Sequence, residues 1–413
     1  MSACSRRSFL LGMALAAGAG RSSRAAILRP GPLLWSRKVA MGEGDWPSRE
    51  VVPAADSKQL YIPLIDRVLA IDLQTGEPAW PTLREKDDGA IYRGPASSQG
   101  LPSRAVTSAI VRDGRLLTLT GAISDAPASV RDFTHFPTLS AFDVGGSEGK
   151  LLWTQGLEGT LAASGWRAAA LPALVGDSVW LPVVNQQRSM RPGLAELDPS
   201  NGSLRATVLM PVSPDGTANW AGNAPVSVGG RLFCRRIDGT VVAVSLADRR
   251  VEWRTEPRAA RQTLKHAGIV PGAGMVHVAT PDGRIEAIDT DDGQVRWTFD
   301  LEEENPQVCG LSGDQLICAG RRIWALDAAT GAPRGRWGFV DTPPLGSVAI
   351  EGRAVAWSTE RELVALDSSN GAVVGRDELA QSWNLTGGDT WSMGGRLVLV
   401  GGNRISVFRA DRE

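Results

Sequence analysis

One recurring motif constrains the fold of this chain more than any other feature. The motif is Ala-x-Asp-x-x-x-Gly-x-x-x-Trp, and complete copies occupy residues 70–80 and 287–297. Modified copies recur about every 40 to 45 residues in the second half of the chain, which is the length of a four-stranded propeller blade. Repetition at this period predicts a series of equal β units. The Asp and Trp positions of the copies are Asp72, Trp80, Asp143, Trp153, Asp198, Trp253, Asp289, Trp297, Asp327 and Asp367.

Each copy predicts the same order of strands. An alternating apolar run precedes most copies and follows a two-residue turn such as Asp113-Gly114 or Gly229-Gly230, in which Asp or Gly supplies the positive φ of a hairpin. The unit is therefore strand A, tight turn, strand B, loop, strand C ending in Ala-x-Asp, turn, and strand D carrying Trp. We expect Asp to bind backbone donors in the C–D turn, Gly to take the left-handed position, and Trp to wedge against a neighbouring blade. These roles are structural and need no ligand.

The two ends of the chain predict a closed ring. Leu33-Leu34-Trp35 repeats the strand D sequence Leu151-Leu152-Trp153, yet no strand A, B or C precedes it. The last unit, which ends near Arg409, lacks a strand D. Pairing the two would remove two open sheet edges. The sequence thus predicts an all-β, eight-bladed propeller of four-stranded antiparallel blades, closed by the N-terminal strand pairing with the C-terminal blade.

The N-terminus predicts export. Ser5-Arg6-Arg7-Ser8-Phe9-Leu10 matches the twin-arginine signal, and the Gly/Ala-rich run that follows is too short to span a bilayer. We therefore expect residues 1–25 to be a cleaved Tat-type signal peptide, although cleavage after Ala19 would also leave small residues at the cut. Residues 26–413 would then form a single propeller, periplasmic or secreted, with no membrane span in the mature chain. The 44 basic and 45 acidic residues give a net charge of −1, which argues against a nucleic acid partner.

The repeats from Leu33 to the C-terminus resemble those of the pyrroloquinoline quinone (PQQ) propeller superfamily. That superfamily includes PQQ-dependent alcohol dehydrogenases and a non-enzymatic branch similar to the propeller lipoprotein that assists outer-membrane β-barrel assembly. The dehydrogenases carry an adjacent Cys–Cys pair beside the quinone, and none of the four cysteines here are neighbours. Cys4 precedes the apolar run, so the lipidated cysteine of the lipoprotein is missing too. The resemblance implies no cofactor for the non-enzymatic branch, and PQQ with Ca²⁺ as the alternative.

Other chemical motifs are absent from the sequence. There is no Cys-x-x-Cys, no His-Glu-x-x-His and no Gly-x-Ser-x-Gly. His277 lies in a strand B pattern, which favours packing over metal binding. We therefore name no catalytic residue and no metal ligand.

The cysteines suggest one cross-link. Cys309 and Cys318 flank the Gly313-Asp314 turn symmetrically, so in a regular two-residue hairpin they would face each other in a non-hydrogen-bonded pair. In an oxidising compartment they could form a disulfide, and two free thiols are the alternative. Cys234 would stay free and buried in a strand B.

Three predicted insertions give the chain a candidate binding surface. They lie at about 84–104 in the link from strand D of the first blade, and at about 121–138 and 183–194 in the B–C loops of the next two blades. Alternate strand ends share a side, so all three should decorate one face, where they bind a protein or peptide or merely cover the channel mouth. The predicted function is an exported, non-catalytic protein-binding or scaffold module, and a periplasmic PQQ-dependent oxidoreductase is the alternative. The candidate contact residues in the insertions are Arg84, Tyr92, Arg93, Arg131, Asp132, Phe133, His135, Arg188 and Arg191.

Overall fold

The computed structural model is built from β-strands, with one short helical turn in the part that it describes. The described residues are 28–38, 50–63, 67–80, 90–93, 106–120, 138–146, 149–155, 159–185, 191–212, 220, 223–236, 238–257, 268–280, 282–301, 306–338, 344–359, 361–379, 388–401 and 404–412.

In chain order the elements are β1 (Leu28–Lys38), β2 (Glu50–Val52), β3 (Ala54–Ala55), β4 (Gln59–Pro63), β5 (Arg67–Asp72), β6 (Ala90–Arg93), β7 (Val106–Arg112), β8 (Arg115–Thr120), β9 (Thr138–Asp143), β10 (Lys150–Gln155), α1 (Thr160–Ala163), β11 (Trp166–Ala168), β12 (Ala173–Val175), β13 (Ser178–Asn185), β14 (Arg191–Leu197), β15 (Leu204–Leu209), β16 (Val226–Val228), β17 (Arg231–Arg235), β18 (Val241–Ser245), β19 (Arg250–Arg254), β20 (Ile269–Gly272), β21 (Met275–Ala279), β22 (Arg284–Asp289), β23 (Val295–Asp300), β24 (Gln307–Ser312), β25 (Gln315–Ala319), β26 (Ile323–Asp327), β27 (Pro333–Trp337), β28 (Leu345–Glu351), β29 (Ala354–Ser358), β30 (Glu362–Asp367), β31 (Val373–Glu378), β32 (Gly388–Met393), β33 (Arg396–Gly401) and β34 (Arg404–Arg412).

The strands form the eight predicted blades. Seven sheets follow one another along the chain: β3–β6, β7–β10, β11–β15, β16–β19, β20–β23, β24–β27 and β28–β31. In blade 3 the inner strand is split, so β11 and β12 both pair with β13. Strand β2 pairs in parallel with β7 and so links the inner strands of blades 1 and 2.

Blade 8 closes the ring as the sequence predicts. Its sheet has the order β1-β34-β33-β32, and β1 pairs antiparallel with β34 from Leu28 opposite Arg412 to Lys38 opposite Arg404. Strand β1 therefore supplies the outer strand that the C-terminal unit lacks. Trp35 pairs with Val407, the same register that Trp153 takes opposite Ala141 in blade 2.

The core lies between blades. Strand side chains alternate between two faces, so each blade packs apolar residues against both neighbours. One buried cluster joins blade 8 to blade 1 and includes Val407 and Ile71, and another joins blades 4 and 5 through Phe233 and Val276. The described residues form eight such clusters, one at each junction of the ring.

A tryptophan of one blade covers a glycine of the next at most junctions. Trp153, for example, lies over Gly202, where an added Cβ would meet the indole at 2.6 Å, and its Nε1 donates to Pro199 O at 3.0 Å. A bulge just before Trp153 turns its side chain toward blade 3. The covered glycine thus makes room for the wedge. The pairs are Trp35 on Gly76, Trp80 on Gly149, Trp153 on Gly202, Trp253 on Gly293, Trp297 on Gly331 and Trp337 on Gly371.

Trp337 reaches its glycine although it lies two residues late in the motif. Gly335 occupies the usual position, and a Cβ there would lie 2.3 Å from the Trp337 ring. The indole therefore folds back over Gly335 and covers Gly371.

The junction between blades 3 and 4 uses an ion pair instead. Ala206 stands where the Trp would be, opposite Glu196, and Arg249 takes the place of the turn glycine with φ +54°. Arg249 Nε donates to Glu196 Oε2 at 2.6 Å, and Ser178 Oγ donates to Glu196 Oε1 at 2.7 Å. Loss of the Trp and loss of the Gly thus occur together at one junction.

The predicted facing of Cys309 and Cys318 is wrong. A bulge at residues 309–310 shifts the register, so Cys318 pairs with Val308. Because neighbouring residues of a strand point to opposite faces, Cys309 packs toward blade 7 and Cys318 toward blade 5. Cys234, Cys309 and Cys318 are all free thiols.

Candidate functional site

The candidate site lies on the loop-rich face, which we define as the end of the blades where strand B passes to strand C. On this face β13 ends at Asn185, β14 begins at Arg191, β15 ends at Leu209 and β17 ends at Arg235. Strand D also leads to the next blade there. In blade 2, β8 ends at Thr120 and β9 begins at Thr138 on the same side.

The structure shortens two of the three predicted insertions. Ala90–Arg93 pairs with strand C of blade 1, so Tyr92 and Arg93 continue strand D after residues 81–89 and do not lie in a loop. In blade 3 the hairpin pairing extends to Asn185 opposite Arg191, so both ends of the predicted 183–194 insertion belong to strands. Strand pairing thus absorbs residues that the spacing had assigned to loops.

Arg191 is the one predicted contact residue whose side chain is described, and it lies on the loop-rich face. Arg191 begins β14 and is exposed. The side chains of Tyr92 and Arg93 lie outside the described residues, although their backbone belongs to β6. Arg84, Arg131, Asp132, Phe133, His135 and Arg188 also lie outside the described residues.

Beside Arg191 the structure shows an exposed apolar pair that the sequence analysis missed. Leu209 is 43% exposed and Val212 is 46% exposed, while Met210 between them is buried. Met210 N donates to Pro192 O at 3.0 Å, so this stretch runs along the start of β14. We call Arg191, Leu209 and Val212 the blade 3 corner.

Blade 4 is joined to the blade 3 corner by a buried arginine. Arg236 is 2% exposed, and its Nη1 donates to Pro211 O at 2.8 Å. Trp220 forms a bridge with Arg236, and its indole donates to Val183 O at 3.1 Å. The end of strand B in blade 4 is therefore continuous with the corner.

Arg235, the preceding residue, points the other way, toward blade 5. It is 4% exposed, and its Nη2 donates to Ala279 O. Its Nε and Nη1 are buried and have no hydrogen-bond partner. Burial lowers the pKa of Arg235 to about 10 against the opposing effect of Glu286 and Asp238, so the group is cationic at neutral pH. The Arg-Arg pair that ends an apolar strand was the sequence signal for it.

The motif carboxylates are occupied by their own turns. Asp72 Oδ1 accepts the backbone N–H groups of Gln74 at 2.9 Å and Thr75 at 2.8 Å. Hydrogen bonds from Ser200, then from Arg205, lower the pKa of Asp198 to about 2. These ionised side chains build the C–D turns at the opposite end of the blades.

His277 packs in the protein core. It is fully buried, with Nδ1 2.9 Å from Val270 O and Nε2 2.8 Å from Ala328 O, and its ring lies 5.5 Å from that of Trp297. Burial lowers its pKa, although both carbonyl contacts oppose the shift.

Across the described ranges, no group of three or more His, Cys, Asp or Glu side chains could hold a metal ion. Cys309 and Cys318 lie on opposite faces of one sheet. Within the same ranges, no helix has the length and apolar character needed to cross a bilayer.

The repeated blades and their closure agree with a match to a known family. The PQQ_2 model, described as outer membrane protein assembly factor BamB, matches residues 98–262, 138–312 and 261–410. The chain belongs to this family. Together these matches cover most of the propeller, including both sides of the blade 3 corner.

The individual relatives are of two kinds. The BamB of Alkalilimnicola ehrlichii is 29% identical over 167 residues, which are 38% of this chain and 43% of that protein. The quinohemoprotein alcohol dehydrogenase ADH-IIG of Pseudomonas putida is 25% identical over 152 residues, 32% of this chain and 21% of that protein. The chain thus spans less than half the length of these curated relatives. The crystal structure of BamB from Moraxella catarrhalis covers 93% of this chain and 100% of its own with a TM-score of 0.59, and at 14% identity it shows the shared fold alone.

Proposed function

We propose that this chain is an exported, non-catalytic propeller that binds a partner protein through its loop-rich face. The family match supports this proposal, because its description names an outer-membrane assembly factor. Residues 5–10 support export by the twin-arginine route to the periplasm. The repeat residues that could look catalytic are engaged in turns and wedges.

The observation that carries the proposal is the blade 3 corner. Leu209 and Val212 expose apolar surface beside the cationic Arg191, and exposed apolar residues rimmed by polar ones are typical of protein interaction sites. Strands β13, β14 and β15 hold these residues on a rigid scaffold.

Site-specific photo-crosslinking tests the proposal. A photoreactive residue at Leu209 should yield a discrete adduct with a partner from the cell envelope of the source organism. Val373 is the matched control, because it is an equally apolar strand D residue, 52% exposed, at the start of β31 on the opposite face. No adduct at Leu209, or the same adducts at both positions, would contradict the proposal.

A periplasmic PQQ-dependent oxidoreductase is the second candidate, favoured by the match to the quinohemoprotein dehydrogenase. Titration of the purified protein with PQQ and Ca²⁺, followed by tryptophan fluorescence and dye reduction, separates the two. A saturable response with turnover supports the oxidoreductase, and no saturable response rejects it.

A further inference from the structure

The guanidinium of Arg235 is buried and only partly hydrogen-bonded. A charged group that leaves water loses solvation, and buried charges are normally paired and hydrogen-bonded. Arg235 is 4% exposed, yet its Nε and Nη1 donate to nothing. Such a donor pair costs folding free energy unless an acceptor arrives from outside the chain.

The nearby acids do not supply that acceptor. Glu286 and Asp238 act on Arg235 through their charge, but neither accepts a hydrogen bond from Nε or Nη1. Both acids are themselves buried, at 7% and 8% exposure. They keep the guanidinium charged while leaving two of its nitrogens free to donate.

Arg235 lies at the same end of the blades as the blade 3 corner. Arg235 is the last residue of β17, at the loop-rich face between blades 4 and 5. The adjoining Arg236 reaches back to Pro211 O beside Val212. A chain lying on the blade 3 corner can therefore extend to Arg235 along the same face.

We propose that Arg235 binds a carboxylate side chain of an acidic peptide segment in the bound partner. A carboxylate is the acceptor that suits an orphaned guanidinium best, because charge-assisted hydrogen bonds are stronger than neutral ones and both groups are planar. Arg235 then gives specificity for acidic sequences, and the apolar corner supplies contact area. This inference rests on the proposed partner-binding function of the loop-rich face.

Calorimetric titration of the full chain with a hexaglutamate peptide tests the proposal, with hexaglutamine as the neutral probe. We expect hexaglutamate to bind and hexaglutamine not to bind. Arg235→Met should weaken hexaglutamate binding roughly ten- to hundredfold. Arg235→Lys, which keeps the charge without the planar fork, should lie between.

A matched control is Arg396→Met. Like Arg235, Arg396 is a terminal residue of a strand B and has a buried Nε without a hydrogen-bond partner. It is the first residue of β33, however, so it lies at the opposite face. This variant should bind hexaglutamate as the unchanged protein does. Equal weakening by both substitutions, or none by Arg235→Met, overturns the proposal.

Thermal unfolding separates a binding role from a purely structural one. Saturating hexaglutamate should raise the Tm of the unchanged protein and leave the Tm of Arg235→Met where it is, because only a ligand that binds the folded state stabilises it. An equal rise in Tm with hexaglutamate in both proteins would contradict the proposal.

Two further results identify where the inference fails. Binding of free citrate that exceeds binding of hexaglutamate would assign the site to a small carboxylate and overturn the peptide assignment. If Arg235→Met leaves the Leu209 photo-adduct at full yield, partner binding stands and the carboxylate contact does not. Loss of the adduct together with hexaglutamate binding is the result that we expect.

Discussion

The tryptophan wedge at Gly202 allows a test of how adjacent blades are held together. Trp153 is 8% exposed, and its ring lies where a Cβ on Gly202 would stand, at 2.6 Å. Gly202 has φ +72°, so it is required both by the turn and by the wedge. A double-mutant cycle with Trp153→Ala and Gly202→Ala separates these two requirements.

The expected free energies of unfolding follow from the contacts. Trp153→Ala removes a buried indole and should cost about 3–5 kcal/mol. Gly202→Ala should lower the free energy of unfolding by about 1–2 kcal/mol for the left-handed backbone and by about 1–3 kcal/mol for the clash with Trp153. In the double variant the clash is gone, so its loss of stability should be smaller than the sum of the single losses by about 1–3 kcal/mol.

Equilibrium urea unfolding, followed by far-ultraviolet circular dichroism, measures each variant. Gly274→Ala is the matched control, since Gly274 has φ +74° but nothing lies within 4 Å of the added Cβ. It should lose only the backbone share and be additive with Trp153→Ala. Additivity of the Gly202 pair within about 0.5 kcal/mol would refute the wedge as the reason for the glycine.

Three further predictions concern titration and redox state. Burial opposes the ionisation of Glu196, but hydrogen bonds from Arg249 and Ser178 lower its pKa. The ionised side chain therefore stabilises the fold above its unfolded pKa, and this stabilisation is lost as the pH falls. Arg249→Ala should raise the pH at which acid unfolding begins, and an unchanged pH profile would contradict this. Burial lowers the pKa of His277, so on acidification the unfolded chain binds a proton before the folded chain does. The free energy of unfolding should therefore fall as the pH drops below about 6.5. Urea midpoints measured between pH 5 and 7 should depend less on pH in His277→Gln than in the unchanged protein. Burial raises the pKa of Cys309 to about 12 and that of Cys318 well above its usual value, so neither thiol should react with Ellman's reagent before unfolding, and a non-reducing peptide map that joined them would refute the observed register.

The repeated sequence motif was sufficient to predict the architecture. Each copy specifies a C–D turn, a wedge position and a hairpin, and these are local features that need no long-range information. The closure was predictable too, because Leu33-Leu34-Trp35 repeats a strand D text and occupies that register opposite Val407. Eight blades and the closing strand are therefore both confirmed.

The errors arose where one residue shifts a register. Counting outward from a turn assumes an unbroken ladder, and the bulge at residues 309–310 moves Cys309 to the opposite face from Cys318. Counting loop lengths likewise assumes strands of equal length, whereas β13 and β14 extend to Asn185 and Arg191. Bulges and strand extension depend on packing between blades, which spacing along one chain does not record.

The candidate site was less predictable because it is a departure from the repeat. Most departures are compensated inside the fold: at the junction of blades 3 and 4 an Arg249–Glu196 ion pair replaces the Trp and Gly. Between blades 7 and 8 the inner strands are joined by a hydrogen bond from Ser347 N to Asp389 Oδ1 at 2.8 Å. In blade 1, Trp80 Nε1 is a buried donor without a hydrogen-bond partner, but the indole carries no charge.

Arg235 differs from these cases because it is a buried cation whose free donors no described residue satisfies. The hydrogen bond to Ala279 O uses only Nη2 of the guanidinium, and the next two blades carry Ala279 and Ala319 at the end of strand B without any such donor. A cost that the scaffold does not need is explained if the residue acts on something outside the scaffold. The hexaglutamate titration therefore bears on why this blade differs from its neighbours as well as on what the protein binds.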